Sequence, residues 1–160
     1  MRVLGIDPGL QCTGYGLIEV KSGRMVLLEA GVIRSSHKEP LSLRLEKIYK
    51  GLCQIIEIYR PQVIALEELY SHYQHPRTAI LMAHARGAIC LLAAQSRIAV
   101  AGYAAKRVKK AVTGAGGAKK LQVQRVIKEM LGLKKDPAPY DVADALALAI
   151  THINATKRQL

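Results

Sequence analysis

The chain has 160 residues, the size of one domain, and half of them are hydrophobic, enough for a single packed core. Lys and Arg number 24 against 12 Asp and Glu; the formal net charge of +12 excludes an acidic disordered chain and points to a polyanionic partner. Three widely spaced cysteines (Cys12, Cys53, Cys90) exclude a disulfide framework and a CxxC zinc knuckle and fit a reducing compartment.

Taken in chain order, Val3-Leu4-Gly5-Ile6 is a short apolar run stopped by Asp7-Pro8-Gly9, which predicts a buried strand ending in a turn. Tyr15 to Val20 and Met25 to Ile33 are further strands, with Ser22-Gly23 as the hairpin turn between them. Leu41, Leu45, Ile48, Leu52, Ile55 and Tyr59 recur at steps of three and four, the spacing of an amphipathic helix that ends before Pro61. Val63 to Leu66 predicts a fourth strand, Arg77 to about Ser96 a helix, and Ala99 to Ala101 a fifth strand. Three helices follow: Ala104 to Val112, Lys119 to Leu131, and Pro139 to Asn154. In the last, Val142, Leu146, Ala149, Ile150 and Ile153 form the expected inward face.

Three strands followed by alternating helices and strands make an α/β pattern with a mixed sheet. Neither a repeat nor a linker divides the chain, so residues 1–156 read as one domain and 157–160 as a short basic tail. No apolar run reaches the roughly 18 residues of a membrane span, and the first residues are too polar for a signal sequence. The expectation is a soluble, cytoplasmic protein.

Charge is unevenly placed. From Lys106 to Lys135 there are ten cations, among them Lys106, Arg107, Lys109, Lys110, Lys119 and Lys120, and a single acid, Glu129. A solvated helix surface accounts for a short run of lysines, but a bias of ten to one across two helices and the Gly114-Ala115-Gly116-Gly117 loop reads as a surface for nucleic-acid phosphates. That loop is also a plain hinge.

The acids are few, and their positions are informative. Asp7 and Glu67 each end an apolar strand, where ligand crevices open in α/β sheets. Asp141 and Asp144, three residues apart near the start of the last helix, project from one side of it. Four carboxylates gathered together would repel one another unless a hard, oxygen-seeking divalent cation lay between them, and two such ions can clamp a scissile phosphate. Taken singly, each acid has another reading: Asp7 as a turn former, Asp141 as a helix-dipole partner, Asp144 as a surface charge, Glu67 and Glu68 as a helix start.

Gly5-Ile6-Asp7-Pro8-Gly9, Thr13-Gly14-Tyr15-Gly16, Ala65-Leu66-Glu67, Ala85-Arg86-Gly87, Tyr103-Ala104-Ala105 and Asp141-Val142-Ala143-Asp144-Ala145-Leu146-Ala147 together resemble the RuvC Holliday-junction resolvases, in order and spacing, over essentially the whole chain. The resemblance implies an RNase H-like homodimer that nicks four-way DNA junctions symmetrically with Mg²⁺, or Mn²⁺ as substitute, two ions per site, leaving 5′-phosphate and 3′-hydroxyl ends. It implies Asp7, Glu67, Asp141 and Asp144 as the metal-binding tetrad, with Glu68 capping or facing solvent. Lys109 and Lys120 fall where the family keeps DNA contacts, and Tyr70 where it has an aromatic that stacks on junction bases. A branch-migration helicase complex of the RuvA and RuvB type is the implied partner. Rival readings are a non-catalytic junction binder, an actin-like phosphotransferase, for which the chain is too short, and a related nuclease acting on RNA or replication intermediates. The five histidines, His37, His72, His75, His84 and His152, read as surface residues, with phosphate contact as a second reading for His72 and His75; Cys53 and Cys90 read as small core residues, and Cys12 has no evident role.

Overall fold

In a computed structural model describing residues 1–69 and 76–157, the opening apolar run is β1 (Arg2–Asp7) and pairs antiparallel with β2 (Cys12–Lys21). The turn to β3 (Arg24–Arg34) has both central residues in the left-handed region, Ser22 at φ 50° and Gly23 at φ 78°. That is the turn whose twist matches a hairpin. Next come α1 (Leu41–Tyr59), β4 (Val63–Glu67), α2 (Pro76–Gln95) and β5 (Ala99–Tyr103), then α3 (Ala105–Thr113), α4 (Lys120–Leu131) and α5 (Tyr140–Lys157). The sheet order is β3-β2-β1-β4-β5, with β1, β4 and β5 mutually parallel. This is the mixed five-stranded sheet that the alternation of elements predicts.

Strand parity divides the core in two. Leu4, Ile6, Ile64 and Leu66 point to the α1/α2 side, where they meet Ile48, Leu52 and Ile89. Val3 and Ala65 point to the other side, packing with α3, α4 and α5. By the same alternation Asp7 and Glu67, at the carboxyl ends of neighbouring parallel strands, belong to the α5 side.

Two expectations are corrected here. Helix α5 is not buried on one side only: every residue from Ala145 to Ile153 is buried, because the helix is sandwiched between the sheet and α3 and α4. His152 is therefore not a surface histidine. It is 9% exposed, and its Nδ1 lies 2.8 Å from the Tyr103 hydroxyl. A third difference concerns α2. Its Arg77–Gln95 stretch has mean hydropathy 1.3, long and apolar enough by length and composition to cross a membrane, although no uninterrupted apolar run does so. Its Ala85, Ile89, Leu92 and Ala93 pack in the core on the α1 side of the sheet.

Candidate active site

Asp7 is held by the turn that follows it. Thr13, wholly buried, donates its hydroxyl to the Gly9 carbonyl at 2.6 Å, and Ser35 donates to Leu10 O at 2.5 Å. Buried Arg44 donates to Ser35 in turn, at 2.9 Å, so the loop is anchored to the first turns of α1. Glu67 is fixed from the other side. The Arg86 guanidinium of α2 donates to its carbonyl oxygen at 3.2 Å, and the amide of Glu68 donates to Tyr103 O at 3.0 Å. Glu68 itself is exposed.

The helix reaches these strands because glycines let it. A β-carbon on Gly5 would lie 1.9 Å from the Ala145 carbonyl oxygen, and one on Gly14 would lie 2.0 Å from that of Asp141. Both neighbours are backbone atoms of α5, so the helix rests on bare sheet and brings Asp141 and Asp144 to the strand ends.

Asp7, Glu67 and Asp144 line one cleft with Lys109 of α3 and Lys120 of α4, above an apolar wall that includes Val108 and Val123. Its volume is about 260 Å³. Asp141 does not line the cleft. It lies to one side, near the Cys12 thiol, and its charge still acts on Asp7 and Asp144. Burial, reinforced by the charges of Glu67, Asp144 and Asp141, pushes the Asp7 carboxyl up to about 8. Glu67 is raised by burial and by Asp144, and Asp144 by burial and by Asp141. Lys109 and Lys120 oppose the rise at both Glu67 and Asp144. Burial also raises the Cys12 thiol, with the neighbouring Asp141 carboxylate adding to it, so Cys12 stays a neutral thiol at this edge.

Among the described residues no three His, Cys, Asp or Glu side chains enclose a metal ion by themselves. A Mg²⁺ ion needs no such cage: it takes one or two carboxylates and completes its shell with water and substrate phosphate. An open edge of carboxylates, all-oxygen, has the donor chemistry for such an ion.

The cations predicted as one surface are in fact displayed on several. Lys109 and Lys120 face the carboxylates, and Lys120 also lies 5.7 Å from the centroid of the Tyr140 ring. Lys106 and Lys119 are exposed. Arg107 and Lys110 line a second cavity between α3 and α5. Tyr70, His72 and His75 lie outside the described residues. Sequence reasoning assigned no role to Arg86, to the seat formed by Gly5 and Gly14, or to the Tyr103–His152 pair. For Gly5, Gly14, Arg86 and Tyr103 the only signal lay inside motifs already quoted, and His152 carried none.

Residues 3–152 match the family described as crossover junction endodeoxyribonuclease RuvC. The chain is similar to the crossover junction endodeoxyribonuclease RuvC of Rhodopirellula baltica, 49% identical over 148 residues, which are 92% of this chain and 83% of that one. The chain belongs to the RuvC family. The RuvC of Caldicellulosiruptor saccharolyticus is 46% identical across 96% of this chain and 92% of its own. Among solved structures, Thermus thermophilus RuvC in complex with Holliday junction substrate superposes with a TM-score of 0.93 at 34% identity, covering 99% of this chain and 96% of that one. Membership makes this chain a crossover junction endodeoxyribonuclease with an RNase H-like fold, a nuclease of DNA recombination and repair.

Proposed function

We propose that two copies of the chain act together on a four-way DNA junction, each nicking one of two opposed strands to leave 5′-phosphate and 3′-hydroxyl ends. The observation that carries this reading is the meeting of Asp7, Glu67 and Asp144 at one sheet edge opposite Lys109 and Lys120. A two-fold junction needs two equivalent sites, which a homodimer supplies.

Asp7, Glu67, Asp141 and Asp144 are the residues proposed to hold divalent cations, two Mg²⁺ with Mn²⁺ as substitute. When bound, these ions neutralise the carboxylates, polarise the scissile phosphate and activate water for in-line attack. Lys109 and Lys120 draw the phosphodiester toward acids that would otherwise repel it. The turn at Pro8-Gly9, the Arg86 contact to Glu67 and the close seat of α5 hold the carboxylates in place before DNA arrives. Lys106, Arg107, Lys110 and Lys119 extend the phosphate-binding surface, and Tyr70 stacks on a junction base. Residues 1–156 form one nuclease domain with 157–160 as a basic tail, and a RuvA and RuvB type helicase complex delivers the junction in the cytoplasm. A purely structural junction binder has no use for Asp7, Glu67 and Asp144 at one edge, each raised in pKa by burial.

The test is cleavage of a mobile four-way junction in Mg²⁺ beside an Asp144→Asn variant. The parent yields paired nicks that ligase reseals; the variant binds the junction but cuts about a hundredfold more slowly or worse, the scale on which supporting metal-site groups act. Equal cleavage by both, or none by the parent in either Mg²⁺ or Mn²⁺, overturns the reading. Lys109→Ala and Lys120→Ala each weaken junction binding and reduce the slope of log affinity against log salt by about 1. A titration in salt measures this, and an unchanged slope removes that lysine from the phosphate surface.

A further inference from the structure

Helix α3 presents cations on two sides. Successive residues on a helix turn by about 100°, so Lys109 faces the carboxylate cleft while Arg107 and Lys110, three apart, face the other way. There they line a cavity of about 470 Å³ between α3 and α5, with Gly114 at the end of α3 and Thr151 and Asn154 on α5. That volume is in the range of cavities that take a small ligand. No acid lines it, and neither cation forms an ion pair among the described residues.

Arg107 is also held in place. Its guanidinium carbon stands 5.3 Å from the centroid of the Tyr103 ring, and Tyr103 is locked by the 2.8 Å hydrogen bond between its hydroxyl and His152 Nδ1. Tyr103 and His152 are both buried, their rings edge to face at 74°. A stacked guanidinium keeps its N–H edge for a planar or tetrahedral anion and loses little side-chain freedom when it binds one. Lys110, one helical turn on, adds a point charge, and the Asn154 amide a neutral donor.

We propose that the α3/α5 cavity is a second phosphate site, taking a backbone phosphate of a duplex arm away from the scissile position, with Arg107 as its fork and the Tyr103–His152 pair as its positioning support. It rests on the DNA-binding reading above and gives that reading a second, separate contact point. A site of this kind would fix the angle at which an arm leaves the cleft, because two phosphates held at two points define a direction.

The test uses the full chain, without metal, so that it is independent of cutting. Amide signals of Gly114 and Asn154 are followed by NMR while inorganic pyrophosphate, and separately a short unbranched duplex, is added. Both probes shift these signals in the parent and in Lys109→Ala, and neither does so in Arg107→Ala/Lys110→Ala. The double variant also binds the duplex about five- to twentyfold more weakly, with the salt slope reduced by about 1 to 2. Tyr103→Phe retains the ring but loses the bond to His152, and it weakens pyrophosphate at this cavity while Arg107 and Lys110 remain. Shifts by pyrophosphate but not by duplex would mean that the cavity takes a free polyphosphate, and would overturn the assignment to DNA. Parent-like affinity and slope in the double variant would overturn the site altogether. A parent that fails to cut junctions yet passes this test leaves the phosphate site standing and the nuclease reading refuted.

Discussion

Asp7→Asn makes the metal-free protein more stable at neutral pH, and the gain vanishes in acid. The Asp7 carboxyl is pushed from 3.8 to about 8, first by burial and then by Glu67, Asp144 and Asp141. Between those values the folded protein keeps a proton that the unfolded chain releases. Its contribution to stability is therefore complete below about pH 4 and is lost as pH rises toward 8. Asparagine neither gains nor loses that proton, so the variant lacks this part of the slope. Asp7 is only half-buried, and solvent screening reduces the full linkage value to a difference of about 2 kcal/mol at pH 7 to 8. Urea unfolding of both proteins in chelator, from pH 4 to pH 8, measures it. Glu67 and Asp144, also raised, leave a residual slope of the same sign in the variant. Adding Mg²⁺ narrows the gap, because a cation bound to the folded state stabilises the parent more. Parallel curves for parent and variant would show that Asp7 is not crowded by the other acids. A carboxylate whose ionisation costs the fold about 0.5 kcal/mol per pH unit is retained for something other than folding.

The course of the chain was largely legible because its elements are strongly periodic. Helix α1 runs over Leu41–Tyr59, the span its apolar spacing predicts. Strand β2 starts at Cys12, earlier than Tyr15, because Thr13 and Gly14 look like turn residues until they are seen paired with Ile33, Val32 and Asp7. That pairing is non-local and leaves no mark on the local sequence. The convergence of Asp7 with Glu67 likewise depends on the parallel register of β1 and β4, in which Ile6 lies opposite Leu66. Family motifs supplied it; spacing could not. His152 was misread because its partner, Tyr103, is 49 residues away. The basic stretch was legible as a charge bias but not as a set of faces: composition sums Lys109 with Arg107 and Lys110, whereas the helix turns Lys109 to the carboxylate cleft and the other two to a separate cavity. What sequence conveys poorly is which face meets which neighbour, and both the cleft and the second cavity are questions of face.

Gly5→Ala is expected to cost about 3 kcal/mol of stability and to lower cleavage about a hundredfold, although no polar atom is touched. The new methyl carbon would sit 1.9 Å from Ala145 O and 2.8 Å from Ala149 N, both backbone atoms of α5. A flexible side chain could swing away; a helix backbone must translate as a body. Lifting α5 loosens its contacts with β1, where overpacking typically costs 1–3 kcal/mol and backbone shifts cost more. It also carries Asp144 away from Asp7, and a displacement of about 1 Å at a reacting centre is worth roughly a hundredfold in rate. Gly14→Ala behaves alike, because its added carbon would lie 2.0 Å from Asp141 O. Gly87→Ala gives the opposite sign. Gly87 is an exposed residue of α2 with nothing within 4 Å of an added β-carbon, so alanine removes unfolded-state freedom and stabilises the helix by about 0.5–1 kcal/mol. Thermal unfolding and single-turnover cleavage of the three variants decide the matter. A Gly5→Ala protein with parent stability would mean that α5 does not rest on bare sheet, and the convergence of Asp144 on Asp7 would lose its structural basis. The same two glycines that weaken β1 and β2 as strands are what bring a helix close enough to complete a site.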